Sequence, residues 1–145
     1  MTTPKATPPA IGLLLCDDLL FRSRIAGTAE ALGLPLYAAR TVSELLQRAD
    51  ELGPACVLLD LHHPELAIAD VVSRLKERQP APRIIAYGSH VDVATLRQAR
   101  ESGCDRVLPR SQLVQELPNS LPAWYGPTAR DAGGCSRARP SPAPA

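Results

Sequence analysis

Residues 57–64 read VLLDLHHP. Val57, Leu58 and Leu59 run directly into an acid, Asp60, and Pro64 follows four positions later. A short apolar run closed by turn residues fits a strand buried on both faces, as in a parallel sheet. An acid at the end of such a strand stands where an open α/β sheet binds its ligands. Taken alone, Asp60 could simply leave the core and cap a turn. Residues 11–16, IGLLLC, add weight to the sharper reading, because this second apolar run stops at Asp17 and Asp18. Two buried strands that each finish in acid suggest one carboxylate cluster at a single sheet edge.

Outward from these strands the chain alternates regularly. Phe21, Ile25, Thr28/Ala29 and Leu32 recur at helical spacing and Gly33 is a stop, which predicts a first helix over residues 21–32. Residues 36–39 form a short second strand. Thr41-Val-Ser-Glu44 is a capping box opening a second helix, with Val42, Leu45, Leu46, Ala49 and Leu52 as its apolar stripe and Gly53-Pro54 as its end. Strand three covers residues 55–60. Ile68, Val71, Val72 and Leu75 mark a third helix, closed before Pro80. Residues 83–87 are strand four, and Val93, Leu96 and Ala99/Arg100 a fourth helix stopped by Gly103. Residues 106–108 are strand five. Ser111 is placed to cap a last helix in which Leu113, Val114 and Leu117 face inward. An interior proline costs a helix about 3 kcal/mol, so a break is expected near Leu117, with Pro118 opening a further turn. Trp124 and Tyr125 are expected to pack that end onto the body.

Five strand–helix alternations imply an α/β fold: a five-stranded parallel sheet with helices on both faces. Right-handed crossovers leave few topologies, and the flavodoxin-like order 2-1-3-4-5 suits this length. It makes strands one and three neighbours and brings the acidic strand ends together at the switch point. Residues 1–10 and 126–145 have the composition of a disordered lead and a disordered Pro/Ala/Arg tail around one domain over residues 11–125. Arg130, Arg137 and Arg139 in the tail could add weak electrostatic contacts.

Composition narrows the function. The chain has 145 residues, 45% of them apolar, and a net charge of +1, so charge gives no support to a nucleic-acid or membrane-surface role. No apolar run reaches a membrane span and no signal-peptide segment precedes residue 11, so a cytoplasmic location is expected. Cys16, Cys56, Cys104 and Cys135 form no CxxC pair, which argues against zinc. Cys16 ends one strand and Cys56 begins another, at opposite sheet edges, so reduced thiols are expected. His62-His63 makes a poor metal pair, because adjacent side chains point apart.

In this order, the acid pair after strand one, Asp60 with Pro64, Gly103 before strand five and basic Arg110 just after it resemble the receiver domain of bacterial two-component response regulators, over about residues 11–121. The resemblance implies that Asp60 accepts a phosphoryl group from a histidine kinase or phosphotransfer protein. It implies Mg²⁺ held by Asp18, Asp60 and the backbone carbonyl of His62, with Asp17 acting through water. A divalent cation makes chemical sense there, because a carboxylate attacking a phosphoryl group is otherwise repelled by charge. Mg²⁺ suits oxygen ligation by few carboxylates.

The switching half departs from the family's pattern. The Thr or Ser at the end of strand four aligns with Gly88. Ser89, one position on, either supplies that hydroxyl or caps helix four. The family's Lys after strand five is Arg110, a planar fork in place of a compact charge. The switch aromatic is Arg106, and the Asp-Gly that usually follows the proline is Ala67-Ile68. The resemblance therefore allows a receiver with degenerate switch residues or a pseudo-receiver acting by protein–protein binding. It implies no enzyme beyond self-phosphorylation from a phosphodonor and self-dephosphorylation. A small metal-dependent phosphatase is a third reading, weakened because its second Asp would fall at His62. No DNA-binding output domain is expected after residue 125, so action would pass through a protein partner. A homodimer through the helix 4–strand 5–helix 5 face is one possibility.

Overall fold

Leu13, Leu14 and Leu15 are all inaccessible to solvent, as are Val57, Leu58 and Leu59 and Ile84, Ile85 and Ala86. Three successive runs with no exposed face require cover on both sides, and the fold supplies it. The computed structural model describes residues 10–126 except Gln79. The lead before residue 10 and the tail from residue 127, with Cys135, Arg130, Arg137 and Arg139, lie outside the described residues.

The elements are β1 (Gly12–Leu15), α1 (Leu19–Ala31), β2 (Leu36–Ala39), α2 (Val42–Leu52), β3 (Cys56–Asp60), α3 (Ile68–Lys76), β4 (Arg83–Gly88), α4 (Val93–Glu101), β5 (Arg106–Pro109) and α5 (Arg110–Tyr125). The sheet order is β2-β1-β3-β4-β5, and every pairing is parallel. This is the expected flavodoxin-like architecture. Strand period two sorts the core into layers. Leu13, Leu15, Val57, Leu59, Ile84 and Ala86 pack with α2, α3 and α4 residues such as Leu45, Val72 and Ala99. Leu14, Cys16, Leu58, Ile85 and Tyr87 pack with α1 and α5 residues such as Ile25, Leu113 and Trp124.

Local signals explain most ends. Thr41 accepts from the Glu44 N–H at 3.0 Å, and Gly53 closes α2 at φ 58°. The first helix begins at Leu19 rather than residue 21, because Asp18 is its N-cap and accepts from the Phe21 N–H. Helix α4 is capped by Asp92, not Ser89, and α5 starts at Arg110 directly after Pro109, without a cap from Ser111.

The last helix corrects a sequence expectation. It runs unbroken from Arg110 to Tyr125 with Pro118 and Pro122 inside, and Pro118 opens no new turn. Both prolines are exposed, whereas Leu113, Leu117, Leu121 and Trp124 line the buried side. The prolines sit on the exposed side, while each buried leucine contributes roughly 1.5–3 kcal/mol and holds the helix across them. The far end is tied down as expected: Tyr125 Oη donates to the Pro35 carbonyl at 2.6 Å, and Arg83 Nη1 donates to the Ala123 carbonyl at 2.7 Å. Gly12 leaves room for the Tyr125 ring, since a Cβ there would stand 2.5 Å from Tyr125 Oη.

Candidate functional site

The register decides what surrounds Asp60. Leu15 pairs with Leu59, so Cys16 lies in step with Asp60, which pairs with Tyr87, which pairs with Leu108. Side chains in register on one face of a sheet touch. Asp60 shares the parity of Cys56 and Leu58, and so points toward α1 and α5. The residue is 3% exposed. The Cys16 thiol donates to Oδ2 at 3.6 Å, and the His62 N–H donates to Oδ1 at 2.9 Å. Arg110 Nη2 lies 3.8 Å from Oδ1. Burial raises the Cys16 thiol above its ordinary range, so it stays a protonated donor. The Tyr87 hydroxyl is buried without a well-aligned hydrogen bond. Burial first, and the Asp60 charge second, push its ionisation far upward.

Asp17 and Asp18 follow Cys16 at the same edge, and both are exposed. Asp18 Oδ1 is turned to the Phe21 N–H at 3.1 Å, so one predicted metal ligand also starts α1. Among the described residues, no group of three or more His, Cys, Asp or Glu side chains is assembled to hold an ion. The donor chemistry nevertheless suits a hard cation, because Asp60, Asp17, Asp18 and the His62 carbonyl all offer oxygen. Asp18 Oδ2 is not used by the cap.

Arg110, the first residue of α5, lies over the Phe21 ring, with Cζ 5.2 Å from the centroid. That ring in turn packs on Tyr87 at 5.1 Å between centroids. A cleft of about 570 Å³ opens beside them, lined by Phe21, Arg24, Ser89, Arg110, Ser111 and Val114. Gly88 ends β4 with no side chain to offer. The Ser89 hydroxyl oxygen accepts from the Val91 N–H at 3.3 Å, within its own loop. The His62 imidazole Nε2 accepts from the Ser89 N–H at 3.0 Å. Arg106, in place of the expected aromatic, pairs with Glu116 of α5 at 3.0 Å. The Gln112 hydrogen bond, and then Arg106, hold the Glu116 carboxyl below its ordinary range.

The structure thus brings Asp60, Arg110 and His62 together, leaves Asp17 and Asp18 exposed at the same edge, and engages the Ser89 hydroxyl locally. Sequence reasoning missed Cys16, Tyr87 and Phe21. The first two were legible by counting strand register from Asp60. Phe21 was read only as a core residue of α1.

A doubly wound sheet with a buried acid at its switch point, faced by a basic residue after β5, defines the receiver class. No family model matches the chain. The photosynthetic apparatus regulatory protein RegA of Rhodobacter capsulatus is 30% identical over 109 residues, covering 75% of this chain and 59% of that protein. The transcriptional activator protein ExaE of Pseudomonas putida is 32% identical over 96 residues, covering 64% of this chain and 45% of that protein. The chain therefore spans about half the length of the curated relatives it matches. The receiver domain of NtrX from Brucella abortus superposes with a TM-score of 0.68 at 16% identity, covering 79% of this chain and 97% of that one. The receiver domain of the Francisella response regulator 1452 gives 0.68 at 18% identity, covering 80% and 96%. This chain is a receiver domain of the two-component response-regulator family.

Proposed function

We propose that this receiver takes a phosphoryl group on Asp60 from a histidine kinase or phosphotransfer protein. The observation that carries the reading is the buried Asp60 carboxylate at the end of β3, held by the His62 N–H and faced by Arg110. An Asp60 oxygen forms the new P–O bond as the donor's P–N bond breaks, and the electron pair leaves with the donor imidazole. Arg110 supplies positive charge to the phosphoryl oxygens in place of the family's Lys. Asp18, Asp60 and the His62 carbonyl would hold Mg²⁺, with Asp17 acting through water; bound there, the ion supplies charge neutralisation. Ser89 reaches the phosphoryl group only if its hydroxyl leaves the Val91 N–H. The role is signalling rather than turnover of a substrate. The name of the Pseudomonas relative points to transcription as the downstream process, with residues 10–126 as the input portion.

Intact mass and amide shifts are followed after incubation with Mg²⁺ and either a small acyl phosphate or beryllofluoride. A phosphoryl adduct in the wild type that is absent in Asp60→Ala supports the reading. No adduct and no beryllofluoride response in the wild type reject it.

A second reading is favoured by how fully Asp60 is already covered. Cys16, His62 and Arg110 occupy its oxygens, and Gly88 and Arg106 remove two family switch side chains. In that reading the domain binds its partner, or a second copy through the α4–β5–α5 face, without phosphorylation. Equal partner affinity of wild type and Asp60→Asn is its signature, and a large difference excludes it.

A further inference from the structure

Gly88 leaves a gap at the end of β4, and His62 fills the approach to it. A Cβ at Gly88 would stand 3.4 Å from Leu61 Cβ and 3.7 Å from His62 Nε2. The imidazole accepts the Ser89 N–H through Nε2, so the ring carries its proton on Nδ1. The backbone N–H of the same residue donates to Asp60 Oδ1 at 2.9 Å. One residue therefore holds the buried acid by its main chain and the β4–α4 loop by its side chain. From Ser89 the bonds continue toward α4. The Val91 N–H donates to Ser89 Oγ at 3.3 Å, and the Asp92 N–H to the Ser89 carbonyl at 3.1 Å. Asp92 then caps α4 by accepting from the Thr95 N–H at 3.3 Å.

We infer that His62 is the positioning residue that couples Asp60 to the β4–α4 loop and the start of α4, through an imidazole–backbone bond in the place where Gly88 presents no side chain. Any group that takes over Asp60 Oδ1 competes with the His62 N–H. The peptide of residue 62 then turns, and the imidazole leaves or strains the Ser89 N–H. The bond is at the surface, so water replaces it at small cost and the loop has two accessible states, bridged and released. The family's missing hydroxyl would act at the new ligand, whereas His62 acts from the acid's own loop. The phosphoryl-driven use of this link rests on the Asp60 reading above, but the bridge itself does not.

The test uses ¹⁵N-labelled full chain and amide exchange. Without any phosphoryl mimic, His62→Ala should speed exchange of the Ser89 N–H about threefold, as losing one exposed hydrogen bond implies. His62→Gln, whose side-chain oxygen can accept the same N–H, should restore much of the protection. Asp60→Ala, which removes the Oδ1 acceptor, should shift the amides of Ser89, Val91 and Thr95 when His62 is present, but not in His62→Ala. Ser89 exchange unchanged by His62→Ala would overturn the bridge. Equal α4 shifts from Asp60→Ala with and without His62, or none in either, would overturn the coupling. Mg²⁺ with beryllofluoride is then added. Shifts that reach α4 in the wild type but stop at Leu61 and His63 in His62→Ala extend the link to the phosphoryl state. A wild type silent to beryllofluoride rejects the phosphorylation reading, and the unliganded variants still decide the link.

Discussion

Replacing Arg110 by Ala and Asp60 by Asn, singly and together, measures the charge pair at the centre of the site. At the observed 3.8 Å, two unit charges attract by about 4 kcal/mol at an effective dielectric of 20 and by about 1 kcal/mol in bulk water. Asp60 is buried, but the Arg110 side chain is 38% exposed, so the interaction belongs near the lower figure. Arg110 also sits at the positive end of α5, which disfavours a cation by roughly 0.3–1 kcal/mol and makes the Asp60 charge its compensation. A coupling of about 1–2 kcal/mol follows for the pair. Arg110→Ala alone should cost about the same, because losing the contact with the Phe21 ring, about 0.5–1 kcal/mol, is offset by removing a cation from the positive helix end, roughly 0.3–1 kcal/mol. Trp124, the single tryptophan, is buried against the α1/α5 layer and reports urea unfolding by its fluorescence. Asp60→Asn should be less harmful in the Arg110→Ala background than in the wild type, and the difference should shrink in high salt. A coupling below about 0.3 kcal/mol, within the usual limit of additivity, would refute Arg110 as the partner of the Asp60 charge.

Three further outcomes follow from packing and titration. Gly12→Ala places a Cβ 2.5 Å from Tyr125 Oη and 2.8 Å from its Cζ, so it should destabilise by roughly 1–3 kcal/mol and lower the thermal midpoint. Thr41→Ala removes the N-cap of α2 and should cost about 1 kcal/mol in urea unfolding, with Thr41→Ser close to wild type. Burial pushes the Cys56 thiol from 9.0 up to about 12, so the folded state keeps a proton that the unfolded chain releases above pH 9. Stability from this group is therefore complete below pH 9 and declines as pH rises toward about 12, by up to about 1.4 kcal/mol per unit. Urea midpoints across that window should fall more gently in Cys56→Ala, and an unchanged slope would reject the account.

The sheet was legible because its signals are local. Continuous apolar runs at residues 12–15 and 56–59, the Thr41 cap and the stops at Gly33 and Gly53 each speak for themselves. The last helix was not, because an interior proline is judged locally while its consequence is set by the side it faces. Pro118 and Pro122 lie on the exposed side of α5, and the buried leucines at 113, 117 and 121 hold the helix together across them. Asp60 was legible as an acid ending a buried strand, whereas Arg110 came into view only through the family resemblance, as the basic residue after strand five. The role of His62 was only half visible, since its backbone position follows from the sequence but the reach of its ring to Ser89 depends on the space at Gly88.

The immediate neighbours of Asp60 explain why its acids are not preassembled. Side-chain parity and strand register give the in-step positions on its face to Cys16 and Tyr87, a thiol and a phenol held neutral by burial. Neither repels the Asp60 charge, and neither competes with Arg110 for it. Asp17 and Asp18 stand one and two residues further along, beyond the last paired position of β1, where they stay in water and one of them starts α1. Their charges thus stay outside the buried row. Among the described residues, the buried Asp60 carboxylate is faced by the guanidinium of Arg110. Under the proposed function, a phosphoryl group on Asp60 meets Arg110 at the start of α5, just as the inferred His62 link leads to the start of α4.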